Sequence, residues 1–285
     1  MHYFTRKEVF MKLISATLSK RTIIAASIGL LSLPAFALDT SRFDIVNGIV
    51  VDPTDQIATH VVAIKTDLYV KIFGAKITLG FQTCTGTIIS PHIILTAAHC
   101  ALGSGFMTAG DSTLFFGVNM DQAVAKLPVS SVIVNPEYVA GAEKNSHDVS
   151  IMHFNGDLPS GYSPVSILVD DAVLHSGDEV VSAGYGITSA TAQDSGILRK
   201  TTFIVHESDY SNDEVSLTEN NSAVCLGDSG GPTFSTINGG LFVWGVTSRL
   251  DIRADAQAQC KDGAIMTDVR KEESFVRSAM QTLGN

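Results

Sequence analysis

Apolar residues along most of the chain come in short runs with period-two character, and many of them are β-branched. Such runs lie at 60–64, 86–89, 132–134, 149–152 and 241–244. Gly, Asn, Asp and Pro residues separate the runs, as in the Asn-Gly-Gly sequence at 238–240. Short β-branched runs between turn residues predict an antiparallel sheet with hairpins.

The end of the chain follows a different pattern. From Glu272 onward, apolar residues fall at helical spacing and charged residues keep to the other face. The apolar positions are Phe275, Val276, Ala279, Met280 and Leu283. This spacing predicts a C-terminal amphipathic helix that packs on the body of the protein.

The beginning of the chain is predicted to be removed. A Lys-Arg pair at 20–21 precedes an apolar run at 22–33, and the small residues Ala35 and Ala37 follow it. This order is typical of a secretory signal peptide over residues 1–37, cleaved after Ala37. The alternative is an uncleaved membrane anchor, for which the apolar run is short.

Composition and charge narrow the class of protein. Of 285 residues, 45% are hydrophobic and 17% are charged, with 24 Gly and 8 Pro. This apolar fraction supports a substantial core and argues against intrinsic disorder, a collagen-like repeat or a coiled coil. The net charge is −10, and it becomes −13 without the residues before Ile45, because these include six basic and three acidic residues. Such an acidic chain is not expected to bind nucleic acid.

The four cysteines, Cys84, Cys100, Cys225 and Cys260, all follow the predicted signal peptide. An even number of cysteines in an exported protein favours two disulfides over free thiols or metal ligands. Four cysteines allow three pairings, and their spacing leaves all three open.

Three short sequences contain residues suited to catalysis. In Gly-Asp-Ser-Gly-Gly-Pro at 227–232, glycines flank Ser229 so closely that the backbone can turn tightly and present both hydroxyl and amide groups. A serine needs a base to act as a nucleophile, and His99 in a Leu-Thr-Ala-Ala-His-Cys segment is a candidate. Asp148 enters a predicted buried strand, where a carboxylate needs a partner such as an imidazole N–H. Singly, each residue has a structural alternative: a turn serine, a packed histidine and a capping aspartate.

Taken together, these sequences resemble the motifs of the chymotrypsin and trypsin family of serine proteases. The matching sequences are Ile-Val-Asn-Gly (45–48), Thr-Ala-Ala-His-Cys (96–100), His-Asp-Val-Ser-Ile-Met (147–152) and Gly-Asp-Ser-Gly-Gly-Pro (227–232). The resemblance extends from Ile45 to the C-terminal helix. It implies an all-β fold of two six-stranded antiparallel β-barrels followed by an α-helix, with the active site between the barrels. Two disulfides and a simple signal peptide favour a bacterial member.

The resemblance implies a catalytic role for one side chain in each of the three sequences. Ser229 is the nucleophile, His99 is the general base and acid, and Asp148 orients the imidazole and stabilises its cation. The backbone amides of Gly227 and Ser229 form the oxyanion hole. This chemistry needs no organic cofactor and no catalytic metal.

The resemblance also implies how the cysteines pair. Cys84 is expected to bond to Cys100 and hold the histidine loop, and Cys225 is expected to bond to Cys260 beside the specificity pocket.

Two other kinds of site fit parts of the sequence. The Gly-x-Ser-x-Gly pattern at 227–231 also matches the nucleophile elbow of α/β-hydrolases, but that fold places its histidine after the serine, and the last histidine here is His206. A zinc site at His99 and Cys100 would lack the clustered ligands that structural zinc sites use.

The resemblance further implies that the chain is a zymogen. In the family, a new amino terminus at an Ile-Val pair folds inward and pairs with the acid before the nucleophile, which here joins Ile45 to Asp228. Residues 38–44 would then be a propeptide and residues 45–285 the protease domain. Because Asp44 precedes the bond and Arg42 lies two residues upstream, either an unusual activating protease cuts after Asp44, or a cut after Arg42 is followed by trimming.

The pocket for the substrate residue before the cleaved bond (P1) is predicted from the same alignment of motifs. Ala223 stands where trypsins carry an acid, so a preference for Arg or Lys is not expected. Residues 245–248 resemble the family strand that pairs with the substrate backbone, which puts Ser248 at the serine of that strand. Leu250 and Ala264 then stand where the family commonly has glycines. Bulk on both walls predicts a shallow, elastase-like pocket for small or medium aliphatic residues. A competing alignment uses residues 243–245 for this strand instead, and it leaves the pocket open and chymotrypsin-like.

The sequence thus predicts a secreted, extracellular serine endopeptidase, passing through the periplasm if bacterial. Its expected partners are protein or peptide substrates, an activating protease and protein inhibitors. It is expected to be a monomer with no stable membrane anchor after signal cleavage. The alternative function is a catalytically silent binding module on the same fold.

Overall fold

The computed structural model describes residues 48–103, 105–169, 174–218, 223–251, 260 and 263–284. The predicted signal peptide, the predicted propeptide and Ile45 lie outside these residues. In chain order the strands are β1 Ile49–Val50, β2 Val61–Ile72, β3 Ala75–Ser90, β4 Ile93–Thr96, β5 Thr108–Phe116, β6 Ala125–Val134, β7 Ser150–Phe154, β8 Ser166–Ile167, β9 Glu179–Gly184, β10 Arg199–Glu207, β11 Glu214–Thr218, β12 Pro232–Ile237, β13 Gly240–Leu250 and β14 Ala264–Asp268. The α-helices are α1 Ala98–Leu102 and α2 Glu273–Thr282, and single 3-10 turns span Gln56–Thr59 and Met120–Gln122.

The strands form two closed barrels, each with six antiparallel strands, as predicted. The first barrel has the strand order β2-β3-β4-β7-β6-β5. The second closes as β9-β10-β11-β14-β13-β12, because β9 and β10 also pair with each other. β1 extends the second barrel beside β10, and β8 adds to β13 in parallel.

Alternation of apolar residues explains why the strands close around two cores. Fully buried aliphatic side chains fill the first barrel, among them Ile64, Ile88, Ile94, Leu114 and Ile151. A second cluster fills the other barrel and includes Val180, Phe203, Val215, Trp244 and Met266. Side chains that alternate across a pleated strand place one face inward, so each strand contributes every second residue to its core.

The predicted C-terminal helix is confirmed as α2. Val276 and Ala279 are buried, while Phe275, Met280 and Leu283 pack against the core at its edge. The Asn-Gly turn is also present, since Asn238 and Gly239 join β12 to β13 with φ of 51° and 79°. Two consecutive positive φ values give the type of turn that matches strand twist in a hairpin.

The longest hairpin was only partly predicted. The sequence indicated strands at 60–64 and 86–89, but β2 and β3 run far beyond them to a turn at Phe73 and Gly74. Both turn residues have positive φ, 49° and 85°. Phenylalanine seldom takes this conformation, so the turn gave no recognisable sequence signal.

Both disulfides pair as the resemblance implied. Cys84 is bonded to Cys100, and Cys225 is bonded to Cys260. Across the described residues, no helix is long and apolar enough to cross a membrane.

Candidate active site

His99 lies on the short helix α1, immediately after β4. The helix begins after Ala97, whose extended backbone ends the strand. The disulfide from Cys100 to Cys84 fastens the helix to β3, and the Gln82 side-chain amide donates a hydrogen bond of 2.7 Å to the Cys100 carbonyl. These contacts fix the helix that carries His99, whose side chain is 29% exposed.

Asp148 lies just before β7 and faces His99. One carboxylate oxygen accepts a hydrogen bond from the His99 backbone N–H at 3.0 Å, and the other lies 2.7 Å from His99 Nδ1. Ser248 Oγ donates to that second oxygen, also at 2.7 Å. Burial raises the pKa of Asp148, but the hydrogen bonds from His99 and Ser248 outweigh burial and hold the pKa below its usual value. The acid is therefore ionised and can hold the imidazole with its proton on Nδ1.

Ser229 lies in a tight loop that packs against the first barrel. Gly227 and Gly230 have φ of 104° and 79°, which a residue with a side chain rarely adopts. A Cβ atom at Gly230 would lie 2.1 Å from Thr96 Oγ1, so the loop requires glycine there to approach β4. The Gly230 N–H donates to the Thr247 carbonyl, which ties the loop to β13 as well.

Thr85 on β3 holds the other side of this loop, a role that the sequence did not reveal. Its N–H donates to the Ser229 carbonyl at 2.8 Å, and its hydroxyl donates to the Gly227 carbonyl at 2.8 Å. The hydroxyl also accepts from the Tyr185 N–H at 3.0 Å. These contacts make Thr85 a support for the Ser229 loop.

The loop leaves two backbone donors available. Within the part of the chain that the structure describes, neither the Gly227 N–H nor the Ser229 N–H donates a hydrogen bond to protein. The Leu226 carbonyl accepts from the Ile187 N–H, which fixes the peptide that carries the Gly227 amide. Free, fixed amides beside a half-buried serine are suited to bind an oxyanion.

Asp228 is buried next to Ser229. Its two oxygens accept hydrogen bonds of 2.8 Å from the Gly186 and Cys225 N–H groups. Cβ atoms at Gly184 and Gly186 would lie 2.2 Å and 2.5 Å from Asp228, so the Gly-Tyr-Gly sequence makes room for this carboxylate. Burial raises the pKa of Asp228 to about 6, against the lowering effect of the two N–H groups and of Arg199. Ile45, its predicted partner, lies outside the described residues.

Comparison with known proteins agrees with this geometry. The family model described as Trypsin matches residues 66–271. The chain belongs to the trypsin family of serine proteases. A trypsin from Saccharopolyspora erythraea is 30% identical over 185 residues, which cover 59% of this chain and 76% of that protein.

Two animal relatives of this trypsin-family protein are more distant. Human chymotrypsin-like elastase family member 1 is 26% identical over 189 residues, or 61% of this chain and 72% of the relative. Trypsin-1 from Astacus astacus is 24% identical over 187 residues, which cover 59% of this chain and 77% of that protein.

Four predicted pocket residues of this trypsin-family protein lie on or beside the second barrel. Ala223 and Ala264 are fully buried, and Ser248 is nearly so. Leu250, at the end of β13, pairs with Ala264 of β14 and packs partly against the second core. Parts of the surrounding loops, 219–222 and 252–259, lie outside the described residues.

Arg249 follows Ser248 on β13 and links two parts of the site. Its guanidinium donates to Glu214, whose side chain is fully buried, and to the Glu143 carbonyl. Burial lowers the pKa of Arg249, but Glu214 outweighs it and the pKa rises above its usual value. The arginine therefore joins the second barrel to the loop that leads to Asp148. This ion pair could not be predicted from the sequence.

A second unpredicted group of charges lies behind Asp148, which we call the His147 cluster (His147, Asp213 and Glu272). His147 Nδ1 lies 2.6 Å from Glu272 Oε1. The backbone N–H of His147 donates a hydrogen bond of 2.6 Å to the Asp213 carboxylate. Burial lowers the pKa of His147, but Glu272 and Asp213 outweigh it and raise the pKa above the usual value. With φ of 48°, His147 turns the chain so that Asp148 enters the site.

Among the residues that the structure describes, two groups of side chains have metal-ligand atoms close together. Cys84, Cys100 and His99 form one, but the disulfide removes the thiolates that a metal would need. The His147 cluster forms the other, and its groups already hydrogen-bond to one another.

Proposed function

We propose that this protein is a secreted serine endopeptidase, made as a zymogen, that cleaves peptide bonds after small or medium aliphatic residues. The observation that carries the proposal is the hydrogen-bonded series of Ser248, Asp148 and His99 beside the glycine-rich loop of Ser229. Family membership supplies the reaction class. The identity and order of these residues supply their roles.

In this mechanism His99 removes the proton from Ser229 Oγ as the hydroxyl attacks the substrate carbonyl. Asp148 keeps the imidazole proton on Nδ1 and stabilises the cation that forms, which its lowered pKa supports. The Gly227 and Ser229 amides receive the oxyanion, so they act mainly in the transition state. His99 then returns the proton to the leaving amine, and water releases the acyl group by the same steps in reverse order.

Activation would follow from the position of Asp228. A buried carboxylate with a pKa near 6 is ionised at neutral pH only at a cost, and an ammonium beside it removes that cost. A cut before Ile45 would create such an ammonium. The Ile45 amino group would then hold Asp228, and with it the Gly227 amide, in the catalytic arrangement.

The P1 preference rests on Ala223, Leu250 and Ala264. None carries a charge, and the two alanines are fully buried. The exposed Leu226, at 69%, adds an apolar surface beside the nucleophile. An uncharged, narrow pocket favours Ala, Val or Leu over Arg, Lys or Phe.

The first experiment combines amino-terminal sequencing of the secreted protein with labelling by a fluorophosphonate, which reacts only with an activated serine. We expect a mature chain that begins at Ile45 and is labelled at Ser229. The matched control is Ser229→Ala, which keeps the fold and must abolish labelling. A mature chain that begins at Ile45 and folds like this control, yet stays unlabelled, would make the protein a binding module.

A second experiment tests the pocket with a series of peptide anilides that differ only at P1. We expect the highest kcat/KM for Ala, Val or Leu. Replacing Leu250 and Ala264 together by glycine should open the pocket and raise kcat/KM for Phe relative to Ala. Cleavage after Phe by the unaltered protein would support the open pocket of the competing alignment instead.

A further inference from the structure

The outer end of the β2–β3 hairpin projects away from the first barrel. Tyr69 is the last β2 residue that pairs with β5, opposite Thr108. We call residues 70–81 the distal hairpin. From Tyr69 to the turn at Phe73, a strand rise of about 3.3 Å per residue carries the chain roughly 13 Å beyond β5.

One face and the apex of the distal hairpin are apolar and exposed to solvent. Phe73 at the apex is fully exposed. Ile72 and Ile77 lie on one face of the hairpin and are 47% and 42% exposed. Paired residues, and residues two apart on a strand, share a face, so these two side chains form an apolar surface that adjoins Phe73. An exposed apolar surface of this kind is a candidate interaction site.

The other face of the distal hairpin is basic. Lys71 pairs directly with Lys76, and the Lys76 ammonium lies 4.7 Å from the centre of the Tyr69 ring. Between Leu68 and Gly80 the chain carries these two lysines and no acidic residue, whereas the whole chain has a net charge of −10. The projection exceeds the Debye length of about 8 Å at physiological ionic strength, so a surface at the apex meets the lysines rather than the acidic body.

This combination favours an anionic lipid surface as the partner. An apolar apex can enter the region between headgroups and acyl chains, while lysines beside it contact anionic headgroups. Two facing lysines on an open strand pair work against addition of another strand, which is the usual way that a protein partner would use such an edge.

We propose that the distal hairpin is a membrane-contact site that binds reversibly to bilayers containing anionic phospholipid. Phe73 and Ile72 enter the interface, and Lys71 and Lys76 contact the headgroups. The site does not rest on the proposed catalytic function, because none of the residues that form it belongs to the proposed catalytic machinery. If both proposals hold, the hairpin would bring the protease to lipid-bound substrates.

The experiment measures co-sedimentation of the mature chain carrying Ser229→Ala, to prevent self-cleavage, with vesicles of phosphatidylcholine and phosphatidylglycerol. Phe73→Asn is the central variant, because Asn tolerates positive φ. We expect this variant to lower the partition coefficient onto vesicles by about tenfold or more, since the apolar apex supplies most of the buried area. The matched control is Val124→Asn, at an exposed apolar residue (72%) beyond the opposite end of β5.

The lysines are tested by Lys71→Gln together with Lys76→Gln. This double variant should lower the partition coefficient several-fold and reduce its dependence on salt.

Equal partition of Phe73→Asn and the unaltered chain would overturn the proposal, provided both melt at the same temperature. Equal binding to vesicles of phosphatidylcholine alone would overturn the role of the lysines. Absence of vesicle binding, together with a dimer in sedimentation that Phe73→Asn dissociates, would assign the hairpin to contact between two copies of this chain.

Discussion

The two barrels share a fold but differ in what they bury. The first barrel encloses mainly aliphatic side chains, and Asp148, at the entrance to β7, is its main buried charge. The second barrel and the segments around it bury several ionic residues: Arg199, Asp213, Glu214, Asp228, Asp268 and Arg270. His99 and Asp148 thus belong to a mainly apolar body, while Ser229 belongs to a body held partly by charge. We therefore expect changes in pH or ionic strength to affect the site mainly through the second barrel.

The largest effect is expected at the contact between the barrels. Asp148→Asn keeps the size of the side chain but removes the charge that fixes the His99 tautomer. We expect kcat on a preferred peptide anilide to fall by about 10⁴. The melting temperature should change little, because hydrogen bonds from Ser248 and the His99 N–H can persist. A loss below tenfold would show that Asp148 does not orient the base.

The buried pair of Asp268 and Arg270 tests the ionic character of the second barrel. Arg270 Nε and Nη2 donate to the two oxygens of Asp268 at 2.8 Å and 2.6 Å, and both side chains are almost fully buried. Arg270→Met leaves an unpaired buried carboxylate, so we expect the free energy of unfolding in urea to fall by about 3–5 kcal/mol. Adding Asp268→Asn should recover much of this loss. A loss of equal size in the double variant would mean that packing, rather than charge, holds this region.

The corresponding test in the first barrel is one of packing. A Cβ atom at Gly86 would lie 2.4 Å from Ile94 Cγ2 and 2.9 Å from Ile64 Cδ1. We expect Gly86→Ala to lower the free energy of unfolding by about 1–3 kcal/mol, with no dependence on pH. Gly80→Ala is the control on the same strand, because no atom lies within 4 Å of its Cβ position. A pH-dependent loss at Gly86 would break the contrast between the barrels.

The smallest effect is expected at His147, and it depends on pH. The pKa of His147 is raised in the folded state, mainly by Glu272 and Asp213 acting against burial. The imidazolium therefore adds stability below the unfolded pKa of about 6.5, and this contribution is lost as pH rises through the folded pKa. We expect the loss of stability caused by His147→Asn, measured by urea unfolding, to be larger at pH 5.5 than at pH 9. A deficit that stays constant across this range would exclude a contribution from the charge.

Much of the fold and site was accessible from the sequence because those features depend on local patterns. The Asn-Gly turn, the α2 apolar stripe and the glycines around Ser229 each impose a local conformation. The order of motifs then implied the barrels and the disulfide pairing.

The supports of the site were not accessible in this way, because they join residues far apart in the chain. Thr85 lies 142 residues from Gly227, and Glu272 lies 125 residues from His147. A threonine, an arginine or a glutamate gives no local sign of such a partner. The distal hairpin escaped prediction for another reason, since its Phe-Gly turn adopts a conformation that phenylalanine seldom takes.

The hydrogen bonds from Thr85 to the Ser229 loop have a consequence for the timing of synthesis. Translation completes Thr85, His99 and Asp148 well before Ser229, and the Ser229 loop is also tied to Thr247 of β13, which follows it. A ribosome-bound or truncated fragment that stops before β13 lacks this second anchor. Under the proposed function, hydrolysis would therefore wait until both barrels exist.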